Sequence, residues 1–219
     1  MNKKSHIDLA VFLARDSHMK GRIHYKKSFY MGSILPDCQP SFVYQQHTFH
    51  STFLILQEAI LSITDQYDFK KGITRFYCRQ LGVIAHYLAD YFTYAHNSSY
   101  KGSMKEHISY EKELIPALNT YIQKVGEKSS IEYPLECKNA EEICNYIIKM
   151  YKLYQKSIHT MKNDCGYIFE ICYKVIDAIL QLSDNCWQSN KEELLLTSQF
   201  KEHIMVELIT NKYTNYIYF

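Results

Sequence analysis

The 219 residues are 47% apolar, enough to enclose a core, and this length favours one domain over two. A formal charge of +2, with the lysines scattered, offers no basic stripe for a polyanion. No segment approaches the roughly eighteen uncharged apolar residues of a membrane-spanning helix, and only seven glycines and four prolines interrupt the chain, which leans towards helix.

In chain order, Ser5 is the predicted N-cap of a helix from about His6 to Arg15, with Ile7, Ala10, Val11 and Ala14 on one face. The two lysines before it lead into a short run broken by Asp8 and closed by Arg15 and Asp16. That is too short and too charged for a signal-peptide core, so a cytoplasmic location is expected. "YMGSILPDCQPS" reads as irregular, because Gly32, Pro36 and Pro40 oppose a long helix. Phe49, Phe53, Leu56, Ile60 and Ile63 recur at helical spacing and give a second helix. A third is predicted from near Asp68 through Tyr77, Leu81, Ile84, Ala85 and Leu88, and a fourth over roughly Met104 to Val125 with a kink at Pro116.

After the polar break "GEKSSIEYPLECKN", Asn139 caps "AEEICNYIIKMYKLYQKSI". "GYIFEICYKVIDAILQLSDN" follows as another apolar helix, and "KEELLLTSQFKEHIMVELI" as a last amphipathic one before the tail. No convincing β alternation or repeat is present, so the expected fold is all-α. It reads as a single helical-bundle domain over 1–219, with a ligand-bearing half at 1–125 and supporting helices at 138–210. The seven cysteines, Cys38, Cys78, Cys137, Cys144, Cys165, Cys172 and Cys186, form no C-x-x-C pair. Cys137 and Cys144, and Cys165 and Cys172, lie seven apart and read as small buried hydrophobes on helices, and the usage fits a reduced interior better than a disulfide scaffold or zinc ribbon. The twenty tyrosines are spread along the whole chain as amphipathic helix residues.

Chemistry concentrates in "GVIAHYLADYFTYAHN". His86 and Asp90 are four apart, as are His107 and Glu111 further on, so each pair shares one helix face about 5–6 Å apart at Cβ. Ile84, Ala85, Leu88 and Tyr91 surround the first pair, which puts a carboxylate on a buried face. An unpartnered buried carboxylate costs several kcal/mol, and a divalent cation removes that cost. A buried Asp–His ion pair without metal is the competing reading. Asp37 sits in a proline-flanked segment, where a turn aspartate is the ordinary alternative. His47 and His50 start the second helix, where capping or surface histidines are common, and His6 in the first helix is on its own an ordinary solvent-facing residue.

The order is a histidine in "SHIDLA", an aspartate in "GSILPD", a histidine soon after, then H-x-x-x-D, a histidine six residues on, and H-x-x-x-E. This resembles the bacterial zinc-dependent phospholipase C family, whose all-α fold is shared by fungal and plant zinc nucleases that cut single strands. The resemblance implies one zinc ion on Asp37, a histidine of the His47/His50 pair, His86 and Asp90, and a second on His96, His107 and Glu111. It implies a third on His6 and a bridging Asp90, completed in the family by the amino group and carbonyl of the mature first residue. The family exposes a tryptophan there by removing a leader, whereas this chain shows Met1 and no leader, so two ions are expected. An unbroken helix would turn His96 about 120° away from Asp90 and some 9 Å along, so the motif requires a break that "YFTYA" does not announce. Cys38 follows Asp37 where the choline-cleaving members carry an aromatic residue, which leaves choline specificity unsupported.

The function implied is phosphodiester hydrolysis, with Asp37 orienting or deprotonating the attacking water beside its ligand role. The substrate is a phosphoester, phospholipid among the options. A nuclease-like activity finds little support in the near-neutral charge. A second reading from another class is a helical protein that keeps its zinc for stability alone.

Overall fold

The computed structural model describes residues 1–16, 18–38, 47–126 and 134–214, and of 190–214 only the helical backbone. Pro40, much of the polar break after Gly126 and the last five residues therefore lie outside the described part. Among the described residues there are seven α-helices and no strand, in agreement with the all-α expectation. In chain order they are α1 (Lys3–Leu13), α2 (Lys26–Gly32), α3 (Phe49–Ile63), α4 (Arg75–Tyr91), α5 (Met104–Gly126), α6 (Ala140–Gln155) and α7 (Met161–Thr214). Short 3-10 turns occupy Pro36–Cys38, Phe69–Lys71 and Tyr94–His96. No described helix is long and apolar enough to cross a membrane.

The fold is organised around α4. Thr74 caps it by accepting the Tyr77 amide, and from Leu81 to Tyr91 every side chain is buried. A helix apolar all round must be enclosed on every side, and α1, α2, α3 and α7 pack against α4. The crossing with α2 is the closest. A Cβ at Gly82 would lie 2.1 Å from the Phe29 carbonyl oxygen, and one at Gly32 would lie 2.0 Å from that of Arg79. Only glycine at both positions lets the two backbones touch.

Several boundaries differ from the sequence expectation. The cap of α1 is Asn2, whose side chain accepts the Lys4 amide; Ser5 lies inside the helix and is buried. Asp68 caps the 3-10 turn Phe69–Lys71, which Gly72 ends at φ 65°, so α4 starts at Arg75 instead of near Asp68. Helix α2 was not expected at all, its seven residues being too few to show a period. The two helices foreseen after Gly166 are one continuous backbone, α7. Asn139 does cap α6, accepting from Glu142. The described cysteines are free; Cys78, Cys144, Cys165 and Cys172 are buried, whereas Cys38 and Cys186 are exposed.

Candidate metal centre

His6 and His86 reach one point because α1 and α4 pack together with their rings stacked at 3.9 Å. On α1, His6 shares the buried face of Leu9, Ala10 and Leu13. On α4, His86 and Asp90 are one turn apart and wholly buried. The 3-10 turn Pro36–Cys38 after α2 brings Asp37 in, and His47 enters just ahead of α3. Asp37, His47, His86 and Asp90 form one buried group able to hold a metal ion, and His96, His107 and Glu111 form another.

In the first group the His47 Nδ1 and His86 Nε2 atoms are 3.1 Å apart. Each lies 3.6 Å from Asp37 Oδ1 and 3.2 Å from Asp90 Oδ2. Four ligands of a tetrahedral zinc, each at about 2.0–2.1 Å, stand roughly 3.3 Å from one another, so these atoms already have the spacing the ion requires. Their chemistry fits as well. His86 Nδ1 donates to the Ser33 carbonyl at 2.9 Å, which turns Nε2 towards two carboxylate oxygens. Two carboxylates brought together in a buried site repel unless a cation stands between them. The Ser33 carbonyl also fixes the ring plane and tautomer, as partners of metal-binding histidines commonly do.

The second group lies across Asp90. His96 Nδ1 is 3.7 Å from Asp90 Oδ2, and its Nε2 is 3.1 Å from Glu111 Oε1. His107 Nε2 is 3.3 Å from the same oxygen, one turn away along α5. The Met1 amino group contacts Asp90 Oδ1 and lies 2.6 Å from His96 Nε2 and 3.4 Å from Glu111 Oε1. His6 Nε2 is buried 3.3 Å from Asp90 Oδ1.

Burial shapes the protonation of the site. It drives the His6 pKa down to about 3, helped by His86, and it lowers that of His96, so both are neutral donors near pH 7. Burial also raises Asp37. For Asp90 burial works in the same upward sense, but His96, the amino terminus, His86 and His6 overcome it and hold the carboxyl well below its ordinary range. Glu111 is likewise lowered against burial by hydrogen bonds from His107 and His96.

Of the sequence-derived ligands, His6 belongs to neither group but stands beside Asp90, and His50 lies away from the centre. It opens the exposed face of α3 and stands edge-on to Phe49 and Tyr151, so of the His47/His50 pair only His47 points inward. The break demanded between Asp90 and His96 exists: α4 ends at Tyr91, Thr93 is extended, and Tyr94–His96 turns as a 3-10 helix. Sequence reasoning missed the Ser33 carbonyl, a backbone group that no pattern marks. It also missed the Gly32/Gly82 contact behind that carbonyl, for which an isolated glycine inside the α4 pattern was the available signal.

Among protein families, the one described as zinc dependent phospholipase C matches residues 5–161. No curated protein and no solved structure matches the chain.

Proposed function

The chain belongs to the zinc-dependent phospholipase C family, and from that premise we propose that it hydrolyses phosphoester bonds using zinc held by the two side-chain groups. Asp37, His47, His86 and Asp90 would hold one ion and His96, His107 and Glu111 another, while His6 stands with Asp90 where the family resemblance puts a third. The observation that carries this reading is the convergence of two imidazole nitrogens and two carboxylate oxygens at ligand spacing in the first group. Zinc bound there supplies Lewis acidity, polarising a phosphoryl oxygen and making a nearby water a better acid.

The chain's own residues do the rest. Asp37 Oδ1 faces the two imidazoles, and its other oxygen, with no hydrogen-bond partner among the described residues, would accept the proton of the attacking water. In the metal-free site burial raises the affinity of this carboxylate for a proton. His86, locked by Ser33, and Asp90, whose two oxygens face different groups, keep the donors fixed.

Substrate would approach along a cleft of about 580 Å³ between α3 and α4 that His47 lines. Its described lining is Leu35, Pro36, Ile55, Ala59 and Val83 beside Glu58, Ser62, Gln66, Gln80 and Tyr87, with no lysine or arginine. A polynucleotide groove needs such cations to replace counterions. This mixed apolar and polar lining suits a phospholipid-like diester with a neutral or cationic headgroup.

The test compares wild type and Asp37→Asn, purified without chelator, for zinc content and for cleavage of a micellar phospholipid, a soluble bis-phosphoester and single-stranded DNA. We expect bound zinc and lipid cleavage in wild type, falling at least ~100-fold in Asp37→Asn with helical content unchanged. Bound zinc without turnover on any substrate would leave the stability-only reading standing. Preferred cleavage of the DNA would overturn the lipid assignment.

A further inference from the structure

Asp164 lies on the first turn of α7, outside the stretch matched to the family, and is wholly buried. No apolar element gains from enclosing a carboxylate, so its partners have to explain it. Its Oδ2 accepts the backbone N–H of Tyr94 at 2.9 Å and the hydroxyl of Tyr110. Tyr94 opens the 3-10 turn that carries His96, and Tyr110 precedes Glu111 on α5, one turn beyond His107. One buried oxygen thus ties together the two elements that supply His96, His107 and Glu111.

The Tyr94 contact falls where α4 has to stop. Had the helix continued, the Tyr94 amide would donate to the Asp90 carbonyl. Instead Thr93 takes that carbonyl at 3.1 Å, and the Thr93 hydroxyl donates to the Ala89 carbonyl at 2.9 Å. The Tyr94 amide is left with Asp164 as its acceptor at 2.9 Å. The new turn then closes through the His96 amide on the Thr93 carbonyl and the Asn97 amide on that of Tyr94, both at 2.9 Å. Rings seal the break, with Tyr94 stacked on His159 at 4.6 Å and Phe92 against Tyr154 and Tyr167. Continued as helix, His96 would stand roughly 9 Å along the axis and point away; turned here, its Nδ1 lies 3.7 Å from Asp90.

We propose that Asp164 is a positioning residue for the metal centre: by capturing the Tyr94 amide and the Tyr110 hydroxyl it ends α4 after Tyr91 and holds His96 against His107 and Glu111. The inference rests on the zinc reading above for its consequence, but the placement of His96 is separable from it. Asp164→Ala removes the acceptor; Asp164→Asn keeps an oxygen of the same shape without the charge.

The experiment follows the imidazole signals of all ten histidines by heteronuclear NMR in chelator-stripped protein, then titrates zinc. In Asp164→Ala the signals of His96 and His107 should move while those of His6, His47 and His86 stay. Zinc binding at His96, His107 and Glu111 should lose about 10–100-fold in affinity and binding at Asp37, His47, His86 and Asp90 little. Asp164→Asn should lose less than Asp164→Ala and covers the case in which the latter does not fold. Unmoved His96 and His107 signals with unchanged zinc affinities, whatever happens to the melting temperature, would overturn the proposal. Failure of the zinc reading itself would show separately, as wild type that takes up no zinc, and the stripped-protein spectra would still decide the role of Asp164.

Discussion

The Gly82→Ala substitution probes how backbone packing holds the metal centre. The added methyl would lie 2.1 Å from the Phe29 carbonyl oxygen, 2.8 Å from the Ser33 nitrogen and 2.9 Å from the Gly32 carbonyl carbon. All three are backbone atoms that no rotamer change can move. Restoring the first distance from 2.1 to about 3.4 Å requires α2 to retreat by about 1.3 Å. The carbonyl of Ser33, now 2.9 Å from His86 Nδ1, retreats with it and leaves hydrogen-bond range.

Overpacking of this kind costs about 1–3 kcal/mol, and the lost bond to a buried imidazole about 1 more. At roughly 2–4 °C per kcal/mol for a chain of this size, the melting temperature should fall by roughly 5–15 °C. Zinc affinity at the Asp37/His47/His86/Asp90 group should drop about 10–100-fold. Gly166→Ala is the control, since its methyl would meet nothing nearer than the Tyr121 hydroxyl at 3.5 Å and helical alanine is favoured by about 0.5–1 kcal/mol. Thermal unfolding with and without zinc reads both variants. Should Gly82→Ala melt within ~2 °C of Gly166→Ala and bind zinc equally well, the argued coupling between packing and ligand placement is wrong.

Metal-free protein should lose stability as the pH falls from about 6.5 to 5. Folded His6 has its pKa near 3 and stays neutral, whereas unfolded His6 takes up a proton below about 6.5. The loss attributable to His6 is about 2 kcal/mol over that window, read as the difference in denaturation midpoints between wild type and His6→Gln. His96, also lowered, adds in the same sense, and Asp37, raised, opposes it, so a His6→Gln profile parallel to wild type would refute the assignment. His47→Ala should remove zinc binding at the first group, whereas His50→Ala, on an exposed face, should leave it unchanged; calorimetric titration separates the two. Stripping zinc should lower the melting temperature, because a ligand present at a hundred times its Kd adds about 2.7 kcal/mol. Equal melting curves before and after chelation would contradict that.

The parts of the site that sit on regular helix were legible in the sequence. His86 and Asp90, and His107 and Glu111, are four residues apart, and helical spacing alone puts each pair on one face. What stayed hidden depends on contacts distant in sequence. The end of α4 was not marked by proline or glycine because the acceptor that stabilises it, Asp164, is 70 residues away. The choice between His47 and His50 turned on which side of the α3 entry faces α4, and three residues of spacing cannot decide that without the turn before it. Helix α2 carried no period, yet its last glycine sets the closest crossing in the site.

Anomalous scattering from a crystal, recorded on both sides of the zinc absorption edge, tests the central claim most directly. A zinc peak enclosed by Asp37, His47, His86 and Asp90 is expected, with a further peak against His96, His107 and Glu111. Crystals grown with zinc that show no peak among the first four residues, with His86 Nε2 and the carboxylates bridged by protons or water instead, would contradict it.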